Sequence, residues 1–138
     1  MFYGAGARAA VAVRLKNQVN ENAKMAAFAG AVPEIAHNEI LGWMQTRRAP
    51  LRLSAVFLRD PDEPAATAAI ADGLEQLVVS DGAAVERWVG DGADEPSRVF
   101  ALLAFGDLVS CYLAAEEGVD AFDITRLTDL KARLADAR

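Results

Sequence analysis

Leu51-Arg52-Leu53-Ser54-Ala55-Val56-Phe57-Leu58, followed by the turn Asp60-Pro61-Asp62-Glu63-Pro64 and a small-residue run from Ala65, decides the fold class. The apolar run has the length of a strand and needs cover on both faces, as a central strand of a parallel sheet does. The acids of the turn stand where a helix N-terminus favours negative charge, and they predict a helix over Ala65–Leu77. Val78-Val79 and Val85-Glu86-Arg87-Trp88-Val89 read as strand-like segments on either side of Asp81-Gly82. Strand alternating with helix predicts an α/β domain with a parallel sheet.

Upstream, Met1-Phe2-Tyr3 reads as a strand end running into Gly4-Ala5-Gly6, and Ala7–Val19 as a helix with Arg8 and Lys16 on its polar side. A strand tip is an abrupt place to begin a domain, so the natural polypeptide is expected to continue before Met1. Asn20–Asn38 reads as a functional loop around Pro33, with a short strand near Ala27-Phe28. Ile40–Gln45 forms a helical turn or two, and Arg47-Arg48-Ala49-Pro50 leads into the central strand.

Downstream, Ser97–Glu116 is the longest periodic segment. Val99, Leu102, Leu103, Gly106, Val109, Ser110 and Leu113 share one helical face, while Phe100, Ala104, Phe105, Leu108, Cys111 and Tyr112 make the other apolar too. One face is expected on the sheet and the other at an interface with another domain or subunit. Gly118 ends the helix, Asp123 is an N-cap, and Leu127, Leu130 and Leu134 line a final helix. Arg98 and Asp107 are candidates to pair near the interface face.

With 53% hydrophobic and 25% charged residues, the 138-residue chain has the composition of one folded domain. A net charge of -6 supplies no basic stripe for a nucleic acid, although it does not prevent local groups from holding a small anion. Cys111 is the sole cysteine, so no internal disulfide forms, and its apolar surroundings predict a buried thiol in a reducing, cytoplasmic compartment. No apolar stretch is read as long enough to span a membrane, and the first residues lack the pattern of a signal peptide.

Three groups of residues can carry chemistry. Gly4-Ala5-Gly6-Ala7-Arg8-Ala9 fits a Gly-x-Gly-x-x-Gly/Ala turn, open to three readings: close packing alone, sugar-phosphate contact through Gly4 and Gly6, or dinucleotide binding. The last wants an acid closing a second strand roughly 20 residues on; Glu21 comes sooner and follows a helix. Asn20-Glu21-Asn22 sets a carboxylate between two amides, and Pro33-Glu34-Ile35-Ala36-His37-Asn38-Glu39 sets the chain's one histidine among acids and an amide. A carboxylate can act as a base on a carbon acid and an imidazole can exchange protons near neutrality. One histidine and one cysteine offer no zinc-type ligand set.

Asn20-Glu21-Asn22-Ala23-Lys24, Pro33-Glu34, His37-Asn38-Glu39-Ile40 and Gly42-Trp43 together resemble the signature of bifunctional phosphoglucose/phosphomannose isomerases. Ser97-Arg98, Gly106-Asp107, Ser110, Tyr112-Leu113-Ala114, Gly118-Val119-Asp120 and Leu130-Lys131 are similar to that family's later helices, so the likeness covers nearly the whole chain. The resemblance implies a three-layer αβα sugar-isomerase (SIS) domain of flavodoxin-like type over residues 1–138, the carboxy-terminal lobe of a two-lobed homodimeric enzyme. It implies interconversion of glucose or mannose 6-phosphate with fructose 6-phosphate, without cofactor. By that similarity Glu21 is the base, His37 assists ring opening at the neighbouring subunit's site, and Lys131 works near the ring oxygen. Asn20, Asn22 and Asn38 join Gly4 and Gly6 as substrate-side groups, with the two flanking amides orienting Glu21. Glu34, Asn38 and Glu39 are candidates to position His37. Glu21 is expected at the sheet's switch-point crevice and His37 at a subunit boundary.

Asp120-Ala121-Phe122-Asp123 departs from the family's Asp-Pro-Thr-Pro stretch. The phosphate-binding hydroxyls and the arginine that such enzymes take from their first lobe have no counterpart in this chain, which is expected to be inactive alone. The rivals are a non-catalytic SIS module that binds sugar phosphates and a small dinucleotide-binding domain.

Overall fold

A computed structural model describes residues 1–47 and 53–136. Four parallel strands, β1 (Phe2–Gly4), β2 (Ala29–Ala31), β3 (Ser54–Arg59) and β4 (Ala84–Val89), lie in the order β2-β1-β3-β4. Five helices accompany them: α1 (Ala7–Asn22), α2 (Glu39–Gly42), α3 (Ala65–Ser80), α4 (Glu95–Glu116) and α5 (Thr125–Asp136). Two 3-10 segments, Glu34–Ala36 and Trp43–Arg47, flank α2. The parallel α/β class expected from the Leu51–Val89 pattern is what the chain forms. The part of the central strand expected at Leu51-Arg52, with Arg48-Ala49-Pro50 before it, lies outside the described residues.

Successive strand residues point to opposite faces, and the core divides accordingly. Phe2 and Leu58 join Val11, Leu15 and Val19 of α1 and Leu102 and Ala114 of α4 on one face. Tyr3, Ala55 and Phe57 join Leu74 and Val78 of α3 with Ile35 and Trp43 on the other. The result is three layers, α1 and α4 over one face, α3 and the 34–47 segment over the other. Right-handed crossovers from β1 outward to β2 and from β3 outward to β4 require this split. The order reverses between β1 and β3, so the switch-point crevice lies outside their C-terminal ends.

Several local expectations need correction. Val78-Val79 is the last turn of α3, not a strand, because Val78 packs at 1% exposure into the second core and the helix runs to Ser80, before the turn at Gly82 (φ 89°). The short strand lies at Ala29–Ala31 rather than Ala27-Phe28, and Asn20–Asn22 belong to α1 rather than to a loop. Cys111 is exposed, not buried, since it sits on the outward face of α4.

Helix α4 has 22 residues and is long and apolar enough to cross a membrane by length and composition, contrary to the expectation that no stretch would be. Its inner face nonetheless packs on α1: a Cβ at Gly106 would overlap Leu15 Cδ2. Asp94 caps its start by accepting a hydrogen bond from the Ser97 N–H at 2.8 Å. The outer face carries Phe100, Phe105, Leu108 and Tyr112, all exposed, so the division into two faces expected from its periodicity is present.

Candidate functional site

The switch-point crevice is filled by charge. Asp60, directly after β3, accepts hydrogen bonds from Arg8 Nη1 at Oδ2 (2.8 Å), from Arg98 Nε at Oδ2 (2.9 Å) and from Arg98 Nη2 at Oδ1 (3.0 Å). Arg8 and Arg98 come from the first turns of α1 and α4 and extend to Glu95 (2.7 Å) and Asp62 (2.7 Å). Burial alone would raise the Asp60 carboxyl, but the Arg98 hydrogen bonds and the charges of both arginines hold it below the usual aspartate range. Arg98 therefore does not pair with Asp107, as one expectation had it. Asp107 lies three turns along α4, where Arg14 takes it at 2.8 Å.

Gly4 serves packing here, since a Cβ would lie 2.5 Å from the Arg8 carbonyl oxygen, and Gly6 turns the chain into α1 with φ 55°. Both stand at the C-terminal edge of the sheet.

Glu21 is elsewhere. Helix α1 returns from that edge over 16 residues, about 24 Å of rise, so its C-terminal turn lies at the opposite edge. The expectation that Glu21 sits in the switch-point crevice is thus corrected by the βαβ geometry itself. Its surroundings form a separate crevice of about 740 Å³ between the end of α1 and the start of α5, lined by Asn17, Asn20, Glu21, Lys24, Asp123 and Arg126, with Ile124 and Leu127. Lys24, at φ 58°, donates to the carbonyls of Glu21 (2.6 Å) and Ala121 (3.5 Å) and so ties the two walls together. Asp123 accepts from the Thr125 N–H at 2.9 Å one residue ahead of the cap position expected for it, since the Ile124 carbonyl accepts the first hydrogen bond of α5, and its hydrogen bonds with Thr125 hold its carboxyl low.

The flanking amides do not orient the Glu21 carboxylate. Asn20 Oδ1 accepts from the Ala27 N–H (2.7 Å) and fixes the approach to β2; Asn22 donates to the Ser110 hydroxyl (2.8 Å) and fixes α1 to α4. Each amide finds a partner on a neighbouring element, leaving Glu21 exposed at the crevice wall. Lys131 is also exposed and lies four residues beyond Leu127, hence on the same face of α5, one turn from the crevice. Lys24, Asp123 and Arg126 line the crevice without having been singled out as site residues. Lys24 was legible within the Asn20–Lys24 motif, whereas nothing local marks Arg126.

His37 and Asn38 are exposed between the 3-10 turn Glu34–Ala36 and α2, on the sheet face opposite α1. The structure brings Glu21, Asn20 and, one turn off, Lys131 to one place; it puts His37 and Asn38 at a second and Gly4 and Gly6 at a third. Glu39 does not touch the imidazole: its carboxylate accepts from the Tyr3 hydroxyl at 2.6 Å. Among the described residues no group of three or more His, Cys, Asp or Glu side chains is arranged to hold a metal.

Comparison with known proteins assigns the fold to a family. Residues 1–134 match the family described as "Bacterial phospho-glucose isomerase C-terminal SIS domain". A "Bifunctional phosphoglucose/phosphomannose isomerase" of Thermoplasma acidophilum is 30% identical over 135 residues, covering 98% of this chain and 42% of the relative. Proteins with the same description from Caldicellulosiruptor bescii and Aquifex aeolicus are 29% and 28% identical, over 41% and 42% of their own lengths. The chain thus spans less than half the length of these curated relatives. A family match over nearly every residue, on a three-layer parallel sheet with the matching motif segments in place, establishes that the chain belongs to the bacterial phospho-glucose isomerase C-terminal SIS domain family.

Proposed function

We propose that this chain is the carboxy-terminal lobe of a cytoplasmic, homodimeric aldose-ketose isomerase that converts glucose 6-phosphate, and mannose 6-phosphate, to fructose 6-phosphate. Glu21 takes the proton from C2 of the open-chain sugar as the C1 carbonyl becomes an enediolate oxygen, the O2 proton passes to O1, and Glu21 returns the proton to C1 as O2 becomes the ketone oxygen. The carbon acid is activated by its neighbouring carbonyl, so a carboxylate held close to C2 is a sufficient base. Lys131 donates toward the ring oxygen or steadies the enediolate's negative charge. Neither step calls for a metal or an organic cofactor.

The observation that carries this reading is the crevice at the end of α1. It exposes the Glu21 carboxylate beside the cations Lys24 and Arg126, next to the helix that bears Lys131. A phosphorylated sugar needs cationic or amide neighbours, and a proton-transfer base must be reachable; both conditions are met there. Glu21 and His37 lie on opposite faces of the sheet, so a centre using both draws His37 from a second copy, which supports action across a dimer. The exposed outer face of α4 and the uncovered leucines of α5 support the presence of a covering lobe or subunit.

The test is turnover of glucose 6-phosphate by a protein carrying both lobes. Glu21→Gln should lower kcat by a factor of about 10² to 10⁴, the usual share of a general base, with the fold intact. Binding of fructose 6-phosphate with no turnover by the unsubstituted protein would instead mark a non-catalytic sugar-phosphate module.

A further inference from the structure

His37 has no side-chain hydrogen bond among the described residues, yet the segment that carries it is pinned to the sheet by a buried polar contact. Tyr3, in the middle of β1, is fully buried, and its ring lies against Phe57 with centroids 5.2 Å apart. Its hydroxyl donates to Glu39 Oε1 at 2.6 Å and accepts from Trp43 Nε1 at 3.1 Å. Trp43 is 4% exposed and meets the Tyr3 ring edge-on, at 6.4 Å and 70°. The clasp thus closes on one strand atom and grips α2 at its first residue and the following 3-10 segment at its start, two and six positions beyond His37.

The rest of the segment is held by apolar packing of Ile35 and, at its far end, by Thr46, whose hydroxyl donates to the Asp81 carbonyl at 2.6 Å. Apolar packing constrains position without direction, while a hydrogen bond to a carboxylate also sets orientation. The nearest directional side-chain restraint on the His37 turn is therefore the Tyr3 hydroxyl. Burial, and then the hydrogen bond to Glu39, push the tyrosine well above its ordinary range, so it stays a donor throughout the pH range in which proteins fold.

We infer that Tyr3 is a positioning residue for His37, acting through Glu39 and Trp43 to hold the histidine-bearing turn in one orientation against the sheet. The inference rests on the proposed role of His37 for its functional meaning, but its test requires no turnover. His37 is the only histidine, so its ring protons give unambiguous resonances in the 138-residue chain. The indole N–H signals of the two tryptophans supply a local probe, Trp43, and a distant one, Trp88, on β4.

Tyr3→Phe keeps the ring and removes the oxygen. It should split the His37 ring-proton lines or broaden them at least twofold and shift the Trp43 signal, leaving Trp88 in place. Glu39→Ala, a change at a half-buried position, should reproduce the His37 effect even if Tyr3→Phe does not fold, and Glu39→Gln, which still accepts the hydrogen bond, should restore narrow lines. Unchanged His37 lines in Glu39→Ala, and in Tyr3→Phe where it folds, overturn the inference. So does a change that reaches Trp88 equally, which would make Tyr3 a general core residue. A two-lobed protein with no isomerase activity would remove His37's catalytic role without touching this result.

Discussion

At the C-terminal ends of β1 and β3, the Asp60 carboxylate is withdrawn from water and surrounded by two guanidinium groups. Removing one member of such a buried set leaves uncompensated charge, so Asp60→Asn should cost about 3 kcal/mol in denaturant unfolding. The pH dependence has a definite sign. The folded carboxyl ionises below its unfolded value of about 3.9, so the unfolded state binds more protons in acid. The contribution is complete above pH ~4 and lost as pH falls through the depressed folded value. Asp60→Asn should therefore flatten the acid limb of the stability curve, and an acid limb identical to that of the unsubstituted chain would show that other carboxylates set it. Glu21 and His37 stand out as candidates at this scale because their neighbours form a motif. The Arg8–Asp60–Arg98 cluster does not stand out, since Asp60 is 52 residues from Arg8 and 38 from Arg98 and only the topology brings them together.

Close approach of elements depends on missing side chains, at Gly4 and Gly106 among others. A Cβ at Gly4 would meet the Arg8 carbonyl at 2.5 Å, a backbone atom that cannot step aside without moving α1. A Cβ at Gly106 would meet Leu15, a side chain with rotamer freedom but 1% exposure. Both Gly→Ala changes should destabilise by about 1–3 kcal/mol, with Gly4→Ala the worse, as measured by thermal or denaturant midpoints. The reverse order would mean that the core around Leu15 is less yielding than the β1–α1 turn. Helix α4 was legible in its extent and its two faces because period 3.6 survives in a segment apolar all round. Which face is inside was not read from the sequence, although Gly106 and Ser110 permit close packing on one side only, and the thiol's burial, inferred from local hydropathy, came out wrong. Val78-Val79 misled because β-branched residues favour strands until a tertiary contact holds them in a helix.

Taken whole, the molecule leaves apolar surface uncovered on the outer face of α4, at Phe122 (91% exposed) and along Leu127, Leu130 and Leu134 of α5. Cys111 lies within the first of these surfaces and, as the sole cysteine, reports on its cover. A maleimide should label it readily in this chain alone. In a protein that includes the rest of the length found in its relatives, labelling should slow at least tenfold if the face is an interface; equal rates would place that interface elsewhere. The layered α/β plan was readable from strand–helix alternation, whereas the separation of Glu21 from the switch-point crevice follows from the direction in which α1 returns across the sheet. The most direct measurement follows the C2 proton of glucose 6-phosphate in deuterium oxide with both lobes present. If Glu21 is the base, fructose 6-phosphate acquires deuterium at C1, because an exposed carboxylic acid exchanges with solvent, and Glu21→Gln loses both turnover and label. Labelled product formed by Glu21→Gln at the unsubstituted rate would contradict the assignment.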